Sequence, residues 1–512
     1  MNRTELLDRL SDPSESWDIV IIGGGATGLG IAVDAASRGY RTALLEQADF
    51  AESTSSKSTK LVHGGVRYLR GGEVGLVRES LRERGRLLRN APGLVRPLSF
   101  VVPAYRWYER FFYGSGLTLY DLMAGQLGIR STGHLSKSET ISEIPNLRDE
   151  GLFGGTLYWD GQFDDSRLAV AMARTAVDHG AAVVNHTRVE ELVKENGKVT
   201  GVAARDEIDG REFRLKSRVV INATGVFTDS VREMDLGKGA DPIIAPSQGI
   251  HIVLDKKFLG GETGIMIPNT DDGRVLFAIP WHNRTLLGTT DTGGVPVELN
   301  PRPLGEEVDY LIDHAGRYFS EKPTHADVRA TFAGLRPLVK PGGKTGDTSK
   351  ISRSHHLAVS ESGLVTMAGG KWTTYRQMAE DAVDRAIEVG GLETQPCCTA
   401  DLTLLGAEAN PVDSKGELLD PDLPYTKSDV DRAVSEEMAV TLPDLLCRRT
   451  RAMFLDVEAA KRIAPSVVKQ MAGRGGNSAA WEKEQLANLE KVLPTYSPPV
   501  SQSPSLVASE GS

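Results

Sequence analysis

A glycine-rich turn near the N-terminus restricts the fold of this chain more than any other feature. An apolar run ends in Gly23-x-Gly25-x-x-Gly28, and a helical pattern follows it. A second apolar run, Thr42–Leu45, stops at the acidic residue Glu46. This order predicts a strand, a glycine turn, a helix and a second strand, the unit that binds the ADP half of a dinucleotide. The sequence therefore predicts an α/β chain that binds FAD or NAD.

The residue types in this unit suit a pyrophosphate. The first glycine makes the tight turn, the second lets the backbone approach the phosphates, and the third lets the helix pack closely on the strand. The N–H groups of the first helical residues, Ala26 and Thr27, then face the phosphates together with the positive end of the helix dipole. Glu46 can accept hydrogen bonds from the ribose hydroxyls. A glycine-rich surface turn is the alternative, and the two flanking strands argue against it.

Composition limits the classes of protein to consider. The chain has 512 residues, enough for two or three domains, and its 40% hydrophobic content is ordinary for a globular protein. A net charge of −10 argues against a dedicated nucleic-acid binder. None of the three cysteines has CxxC spacing, so no metal site is predicted, and a reducing compartment is expected. An apolar signal core and a run of about 18 apolar residues are both missing, which predicts a cytoplasmic chain without membrane spans.

Later strands favour FAD over NAD. Three predicted strands end near Val189, Gly225 and Gly370 and could return to the first sheet, where they would enclose a longer cofactor. The Ser/Thr-rich stretch 53–60 follows the acidic strand and offers hydroxyl and N–H groups to a pyrophosphate and a ribityl chain. A solvated loop is the alternative for this composition. The immediate continuation into the stretch 60–68 favours a cofactor loop.

Eight motifs occur together in the order that one known family has. They are GGGATGLGIAVDAASRG (23–39), LLEQADFAESTSSKSTKLVHGGVRYL (44–69), INATGVFTDSV (221–231), GIHIV (249–253), GTTDT (288–292), GLRPL (334–338), GGKWTTYR (369–376) and DLLCRRTRAMFLD (444–456). With them the chain resembles the FAD-dependent glycerol-3-phosphate dehydrogenases of the respiratory type. The resemblance implies a glutathione-reductase-like FAD-binding Rossmann domain, a mixed-sheet substrate domain and a C-terminal α-helical cap domain. It also implies oxidation of sn-glycerol 3-phosphate to dihydroxyacetone phosphate, non-covalent FAD and a quinone acceptor.

The expected domain bounds combine these signals with the resemblance. A polar N-terminal arm covers 1–16, and residues 17–405 hold two interleaved domains. Segments of the FAD domain are expected at 17–100, 160–235 and 345–390, and segments of the substrate domain at 101–159 and 236–344. A linker at 406–425, a helical domain at 426–494 and a disordered tail at 495–512 complete the chain.

The resemblance extends the set of cofactor-binding residues beyond the glycine turn. The predicted set is Gly23, Gly25, Ala26, Thr27, Gly28, Glu46, Thr54, Ser55, Ser58, Thr59, His63, Gly64, Gly65, Val189, Ala223, Thr224, Gly225, Gly370, Lys371 and Thr373.

Three cations are candidates for binding the anionic end of a substrate. Arg67, Arg336 and Lys371 lie in turns bounded by glycine or proline. Arginine is suited to bidentate phosphate binding, and lysine acts as a compact charge. Ordinary surface cations are the alternative, since most arginines and lysines are exposed. The resemblance places all three in the substrate pocket, with Tyr68 beside the phosphate and Thr374 nearby.

Oxidation of a secondary alcohol also needs a group that takes the hydroxyl proton. His251 is the preferred catalytic residue, because a neutral imidazole can accept a proton near physiological pH. Its neighbours Ile250 and Ile252 would point to the opposite face of a strand, so His251 could face a cavity. A histidine packed inside a sheet is the alternative, and Lys371 remains open as the proton acceptor. His63 is expected to order the flavin loop rather than to take the proton. If His251 is the base, the rate should titrate near the ordinary histidine pKa.

A basic and aromatic segment suggests contact with a membrane surface. Its members are Arg78, Arg82, Arg84, Arg86, Arg89, Arg96, Tyr105, Arg106, Trp107, Tyr108, Arg110, Phe111, Phe112 and Tyr113. Such residues together suit a protein that rests on an anionic bilayer. An amphipathic helix followed by a core aromatic cluster is the alternative. The resemblance favours peripheral attachment to the inner face of the cell membrane.

Other functions of the same fold stay open. A glycerol-phosphate oxidase would pass electrons to oxygen, and in that family an additional internal segment is expected that the spacings here do not accommodate. An amino-acid or hydroxy-acid oxidoreductase would need one arginine that binds a carboxylate through two hydrogen bonds, whereas three cations suit a phosphate dianion. The sequence leaves the oligomeric state open, a homodimer included.

Overall fold

The computed structural model describes residues 1–66, 68, 72–268, 270–271, 273–340, 354–407 and 416–499. Within these residues the chain forms two β-sheets and a group of C-terminal helices. Some sequence predictions concern other residues: Arg67, the start of the third FAD segment, residues 408–415 of the linker and residues 500–512 of the tail lie outside the described residues.

The strands are, in chain order, β1 Ser16–Ile22, β2 Thr42–Leu45, β3 Leu61–Val62, β4 Val95–Ala104, β5 Gly133–Leu135, β6 Gly154–Phe163, β7 Ala182–Val184, β8 Thr187–Glu195, β9 Lys198–Asp206, β10 Glu212–Asn222, β11 Ile244–Asp255, β12 Gly264–Ile267, β13 Leu276–Trp281, β14 Arg284–Gly288, β15 Thr292–Gly293, β16 Ala330–Val339, β17 His355–Val359 and β18 Val365–Gly369.

The helices are α1 Arg3–Ser11, α2 Ala26–Ser37, α3 Val74–Asn90, α4 Glu109–Ala124, α5 Lys137–Glu143, α6 Asp165–Asp178, α7 Thr228–Leu236, α8 Gly305–Gly316, α9 Tyr375–Gly390, α10 Lys427–Glu436, α11 Leu442–Asp444, α12 Ala452–Leu455, α13 Val457–Gly475 and α14 Ala479–Val492.

The first sheet contains the predicted nucleotide-binding unit. Its centre is five parallel strands in the order β18-β10-β1-β2-β7. The antiparallel pair β8 and β9 joins the sheet through β10, and its turn at Asn196-Gly197 has left-handed φ values of 51° and 76°, as a tight hairpin requires. The three later strands expected from the sequence therefore do return to this sheet, and the predicted α/β fold is confirmed.

The second sheet is mixed and lies beside the first. Its strand order is β15-β11-β14-β13-β12-β4-β6-β3, with β16 paired to β11 and β5 paired to β6. Strands β3 and β4 belong to it, although β3 and residues 95–100 of β4 fall within the expected FAD segment 17–100. The apolar pattern of a strand predicts that it is buried but not which sheet it joins. In this sheet His251 lies opposite Gly288 on one neighbour and Phe332 on the other.

Both ends of the described chain are anchored to the core. The segment predicted as a polar arm forms α1, and its buried Leu7 and Leu10 pack in one cluster with Trp17. The C-terminal helices share a core with the second sheet, in which the Phe454 ring lies 4.8 Å from those of Phe332 and Tyr496. Tyr496, which the expected bounds placed in the tail 495–512, is buried and packs with the helical domain.

Candidate active site

A cleft of about 460 Å³ opens where β1, β2 and β10 end, the position at which open α/β sheets bind their ligands. Most of the predicted cofactor residues line it. They are Gly23, Gly25, Ala26, Thr27, Glu46, Thr54, Ser55, Val189, Ala223, Thr224, Gly225, Gly370 and Lys371. We call this space the dinucleotide cleft.

The three glycines of the turn have different surroundings. Gly23 has a φ of +107°, and a Cβ added there would lie 2.8 Å from the Ala223 carbonyl oxygen. A Cβ added at Gly28 would clash with the Gly23 carbonyl oxygen. A Cβ at Gly25 would meet only the Ser55 hydroxyl, at 3.0 Å. The protein's own packing therefore requires Gly23 and Gly28, whereas the space above Gly25, at the start of α2, fits a phosphate.

The acidic residue and the Ser/Thr-rich stretch both border the cleft. Glu46 accepts hydrogen bonds from the backbone N–H groups of Gly24 at 2.6 Å and Ala48 at 2.8 Å, and burial raises its pKa to about 7. The Ser55 hydroxyl accepts from the Ala26 N–H at 2.9 Å. The indole of Trp372, which the sequence analysis did not select, donates to the Ser55 carbonyl at 2.9 Å. The Ser/Thr stretch is thus packed against the start of α2 and is not a solvated loop.

Two smaller cavities continue the cleft. A central cavity of about 190 Å³ shares Thr54, Gly370, Lys371 and Trp372 with the cleft. An outer cavity of about 170 Å³ follows it. The residues that border both of these cavities are Thr59, Leu61, His63, Tyr68, Thr289 and Arg336. The cleft, the central cavity and the outer cavity therefore adjoin one another and share lining residues, an order that suits a dinucleotide with a small substrate beyond it.

Two of the predicted substrate cations meet at this space. The Arg336 guanidinium donates to the Thr290 carbonyl at 2.8 Å and lies 3.3 Å from an oxygen of Asp291, which holds it at the junction of the two cavities. The Lys371 ammonium lies 4.9 Å from the centre of the Tyr68 ring. The structure therefore brings together Arg336, Lys371 and Tyr68, and the third predicted cation lies outside the described residues.

Three predicted residues make contacts that support the walls of the site. Ser58 borders the central cavity, and its hydroxyl donates to Asp165 at 2.7 Å. Thr374 is buried, and its hydroxyl donates to the Lys371 carbonyl at 3.3 Å. Gly64 donates its N–H to a tyrosine, Tyr120, at 2.6 Å. Thr374 and Gly64 are not among the residues that line the cleft or the two cavities.

His251 lies on the inner wall of the central cavity. Its side chain is 3% exposed, its ring stacks on Phe332 at 4.8 Å, and its Nε2 is hydrogen bonded to the Thr59 hydroxyl at 2.9 Å. Burial, followed by the charges of Lys60 and Arg336, holds the pKa of His251 well below its ordinary value. His251 is thus neutral at physiological pH, and Thr59 stands between it and the outer cavity.

His63, which was expected to order the flavin loop, lies at the wall of the site. Its side chain is half-buried and borders both the central and the outer cavity. His251 borders the central cavity. A proton acceptor must lie within hydrogen-bonding reach of the substrate hydroxyl. Because His63 borders the outer cavity as well as the central one, it is the better placed of the two histidines for a substrate in the outer cavity.

The outer cavity has further lining residues that local sequence patterns did not mark. Its polar members include Asp160, Arg274 and Thr290, and its apolar walls are Phe100, Tyr158, Met266, Val275 and Phe277. Thr289, Thr290 and Asp291 belong to the GTTDT motif, which carried the resemblance but was assigned no role. Arg274 had no motif around it, so only the three-dimensional structure places it here.

The arginine-rich motif at 444–456, in the helical domain, holds the Ser/Thr-rich stretch 53–60 in place. Arg449 makes a bidentate pair with Asp49, with distances of 2.6 and 2.8 Å, and all atoms of both side chains are buried. Arg451 donates to Asp165 and to the Ser56 carbonyl, both at 3.0 Å. Asp49 precedes the Ser/Thr stretch, Ser56 belongs to it, and Asp165 is hydrogen bonded to Ser58. The C-terminal domain therefore fixes the loop that borders the dinucleotide cleft.

A half-buried histidine, His186, belongs to the same network. Asp49, His186 and Asp444 place three ligand-type atoms within 4.8 Å of one another. Arg448 lies 2.5 Å from Asp49 and 3.0 Å from Asp444. Arg448 and Arg449, which also pairs with Asp49, together balance the charges of the two carboxylates. We therefore interpret the cluster as an ion-pair network and not as a metal site.

This network predicts a pH-dependent stability. Burial lowers and Asp444 raises the pKa of His186, and the net result lies above the ordinary value. The stabilising contribution of the pair is therefore fully present below the ordinary histidine pKa and is lost as the pH rises through the raised value. We expect His186→Gln to lower the thermal midpoint more at about pH 5.5 than at about pH 9. An equal loss at both pH values would contradict the assignment.

The aromatic segment forms an exposed surface along α4. Trp107, Phe111, Phe112 and Leu122 are 62–74% exposed. Arg78, Arg82 and Arg106 are exposed, but Arg84, counted with them in the sequence, is buried and paired with Asp160 at 2.7 Å. Among the helices of the described residues, none is both long and apolar enough to cross a bilayer.

Comparison with known proteins defines the class first. A family model described as FAD dependent oxidoreductase matches residues 18–376, which include the dinucleotide cleft. A second model, described as the C-terminal domain of alpha-glycerophosphate oxidase, matches residues 400–485. The fold and the cleft are therefore those of an FAD-dependent oxidoreductase.

Individual relatives narrow the class. A probable mitochondrial glycerol-3-phosphate dehydrogenase of Caenorhabditis elegans is 40% identical over 96% of this chain and 74% of its own length. The mitochondrial glycerol-3-phosphate dehydrogenase of Homo sapiens is 39% identical over 96% and 75%. The crystal structure of glycerol-3-phosphate dehydrogenase from Bacillus halodurans complexed with FAD has a TM-score of 0.78 and 28% identity, covering 98% of this chain and 99% of that one. The chain belongs to the FAD-dependent glycerol-3-phosphate dehydrogenase family.

Proposed function

We propose that this protein binds FAD non-covalently and oxidises sn-glycerol 3-phosphate to dihydroxyacetone phosphate. The observation that carries the proposal is the series of three adjoining spaces, from the dinucleotide cleft through the central cavity to the outer cavity, with Arg336 and Lys371 both bordering the central one. Gly25 and the start of α2 fit the pyrophosphate, and Glu46 fits the ribose. When bound, FAD supplies the hydride acceptor.

The charged residues bind and orient the substrate. Arg336 presents a planar guanidinium to the phosphate, and Lys371 adds a compact positive charge. Tyr68 packs beside Lys371. Arg67 is proposed as the third cation because of its position in the motif at 44–69. Because cations on more than one wall hold the phosphate, the secondary hydroxyl is fixed relative to the histidines.

The proton of the substrate hydroxyl passes to a histidine that borders the central cavity. His63 accepts it directly, and His251 orients the Thr59 hydroxyl beside it and remains neutral. Burial keeps the pKa of His251 low, which opposes a positive charge at that position. Lys371 is less suited to accept a proton in this complex, since the phosphate dianion favours its charged form.

We further propose that a quinone accepts the electrons at the inner face of the cell membrane. The α4 surface supports this, because a row of exposed aromatic and leucine side chains beside exposed arginines suits an anionic bilayer. A membrane-bound acceptor requires such attachment. The protein should therefore sediment with vesicles that contain phosphatidylglycerol, and more weakly at high salt.

Paired variants test the attachment. In Phe111→Ser/Phe112→Ser the vesicle-bound fraction should fall severalfold, because two interfacial side chains are lost. Ile208→Ser, which removes an apolar side chain that is 49% exposed elsewhere on the surface, serves as the matched control and should bind normally. Equal binding of all three proteins would exclude α4 as the membrane contact.

Turnover rates with different electron acceptors test the quinone proposal. With glycerol 3-phosphate as substrate, a short-chain quinone should support rapid turnover and dissolved oxygen should support little. Rapid formation of hydrogen peroxide with oxygen as the sole acceptor would instead identify an oxidase, and the quinone proposal would then be abandoned.

A further inference from the structure

The segment that carries His63 is held from two sides by hydroxyl groups. On one side, the His63 N–H donates to the Thr373 hydroxyl at 3.2 Å, and this hydroxyl lies 3.3 Å from the His63 carbonyl oxygen. On the other side, the Gly64 N–H donates to the Tyr120 hydroxyl at 2.6 Å. Thr373 follows the first sheet and Tyr120 lies in α4. The position of His63 thus depends on both halves of the molecule.

Tyr120 is itself fixed by a buried chain of polar contacts. Its side chain is 0% exposed, and its hydroxyl donates to Asp160 at 2.8 Å. The other oxygen of Asp160 pairs with Arg84 at 2.7 Å. Burial raises the pKa of Tyr120 well above its ordinary value, so the hydroxyl keeps the proton that it donates. One lone pair therefore stays directed at the Gly64 N–H.

The approach of this hydroxyl to the backbone is close enough to require a glycine. A Cβ added at Gly64 would lie 2.7 Å from the Tyr120 hydroxyl oxygen and 2.7 Å from the Leu81 side chain. The tyrosine oxygen and a leucine methyl group thus occupy the space that any other residue would need. Gly64, which was predicted as a cofactor residue, thus makes a close backbone contact with α4.

We propose that Tyr120 is a positioning residue that holds His63 at the junction of the central and outer cavities. Through this contact α4, whose opposite face is the exposed aromatic surface, is joined directly to the reaction site. The inference rests on the proposed function, because the rate that it concerns is that of glycerol 3-phosphate oxidation.

Tyr120→Phe tests the proposal, since it removes one oxygen atom and retains the buried ring. We expect kcat to fall about tenfold with little change in KM, because substrate binding depends on the cations and not on His63. FAD content should remain normal, and backbone amide exchange in the peptide that contains Gly64 should become faster. Tyr40→Phe is the matched control, because it deletes a hydroxyl bonded to the Glu393 carbonyl at 2.6 Å on the surface, and its rate should equal that of wild type.

A double-mutant cycle separates positioning of His63 from a general loss of packing. If Tyr120 acts through His63, Tyr120→Phe should change the rate less than about twofold in a His63→Gln background. The same tenfold loss in both backgrounds, or a normal rate and slow Gly64 exchange in Tyr120→Phe alone, would overturn the proposal. A wild-type protein inactive with glycerol 3-phosphate would instead overturn the proposed function, and the exchange measurement would still decide whether Tyr120 holds the segment.

Discussion

Replacement of His63 by glutamine is expected to lower kcat by about 10²–10⁴-fold while FAD stays bound, because removal of a general base has an effect of this size. His251→Gln should cause a smaller loss, since His251 reaches the substrate only through Thr59 in the proposed arrangement. Single-turnover reduction of the bound flavin measures the step directly. A larger loss in His251→Gln than in His63→Gln would identify His251 as the proton acceptor. Near-normal rates in both variants would identify Lys371 instead.

The pH profile gives an independent test of the same assignment. The sequence-based expectation was that the rate would titrate with His251 near the ordinary histidine pKa. Burial, Lys60 and Arg336 hold the pKa of His251 well below that value, so His251 stays neutral across the usual histidine range. An inflection of kcat/KM near about pH 6.5 must then come from another group and should persist in His251→Gln. Its disappearance in that variant would contradict the structural assignment.

Replacement of Arg336 by alanine is expected to lower kcat/KM by about 30- to 1,000-fold, which corresponds to about 2–4 kcal/mol for a charge-assisted, bidentate pair. The loss should appear mainly as a higher KM for glycerol 3-phosphate. Arg336→Lys should recover part of the activity, because an ammonium group keeps the charge but cannot form the fork.

A nearby arginine provides the control for this prediction. Arg329 immediately precedes the same strand, but its side chain is 46% exposed and pairs with Asp255 at 2.8 Å. Arg329→Ala should leave KM within about twofold of wild type, since exposed ion pairs contribute little. Normal kinetics in Arg336→Ala, with FAD retained, would show that the phosphate binds elsewhere.

The parts of the fold that could be predicted are those encoded by neighbouring residues. The glycine turn, the helix after it and Glu46 lie within one short stretch, and their spacing alone predicts the strand, turn and helix that form one wall of the dinucleotide cleft. The hairpin at Asn196-Gly197 was predictable for the same reason, because its two turn residues favour left-handed φ values. In each case the physical constraint and the pattern that reveals it lie in the same segment.

The parts that could not be predicted depend on contacts between distant segments. Arg84 looked like a surface cation in a basic stretch, but Asp160, which neutralises it, lies 76 residues away. Tyr120 and the Gly64 N–H are 56 residues apart, and no local pattern links them. The access of His63 to two cavities likewise depends on how the second sheet meets the first. Such contacts are set by the tertiary fold, on which local propensity gives little information.

Anaerobic addition of glycerol 3-phosphate to the purified protein tests the central claim most directly. The protein should be yellow, with one FAD per chain released by acid. Its visible flavin absorption should bleach with glycerol 3-phosphate and remain unchanged with glycerol, which lacks the phosphate that Arg336 and Lys371 are proposed to bind. A colourless protein, or a flavin that is bleached by an amino acid or a hydroxy acid but not by glycerol 3-phosphate, would contradict the account.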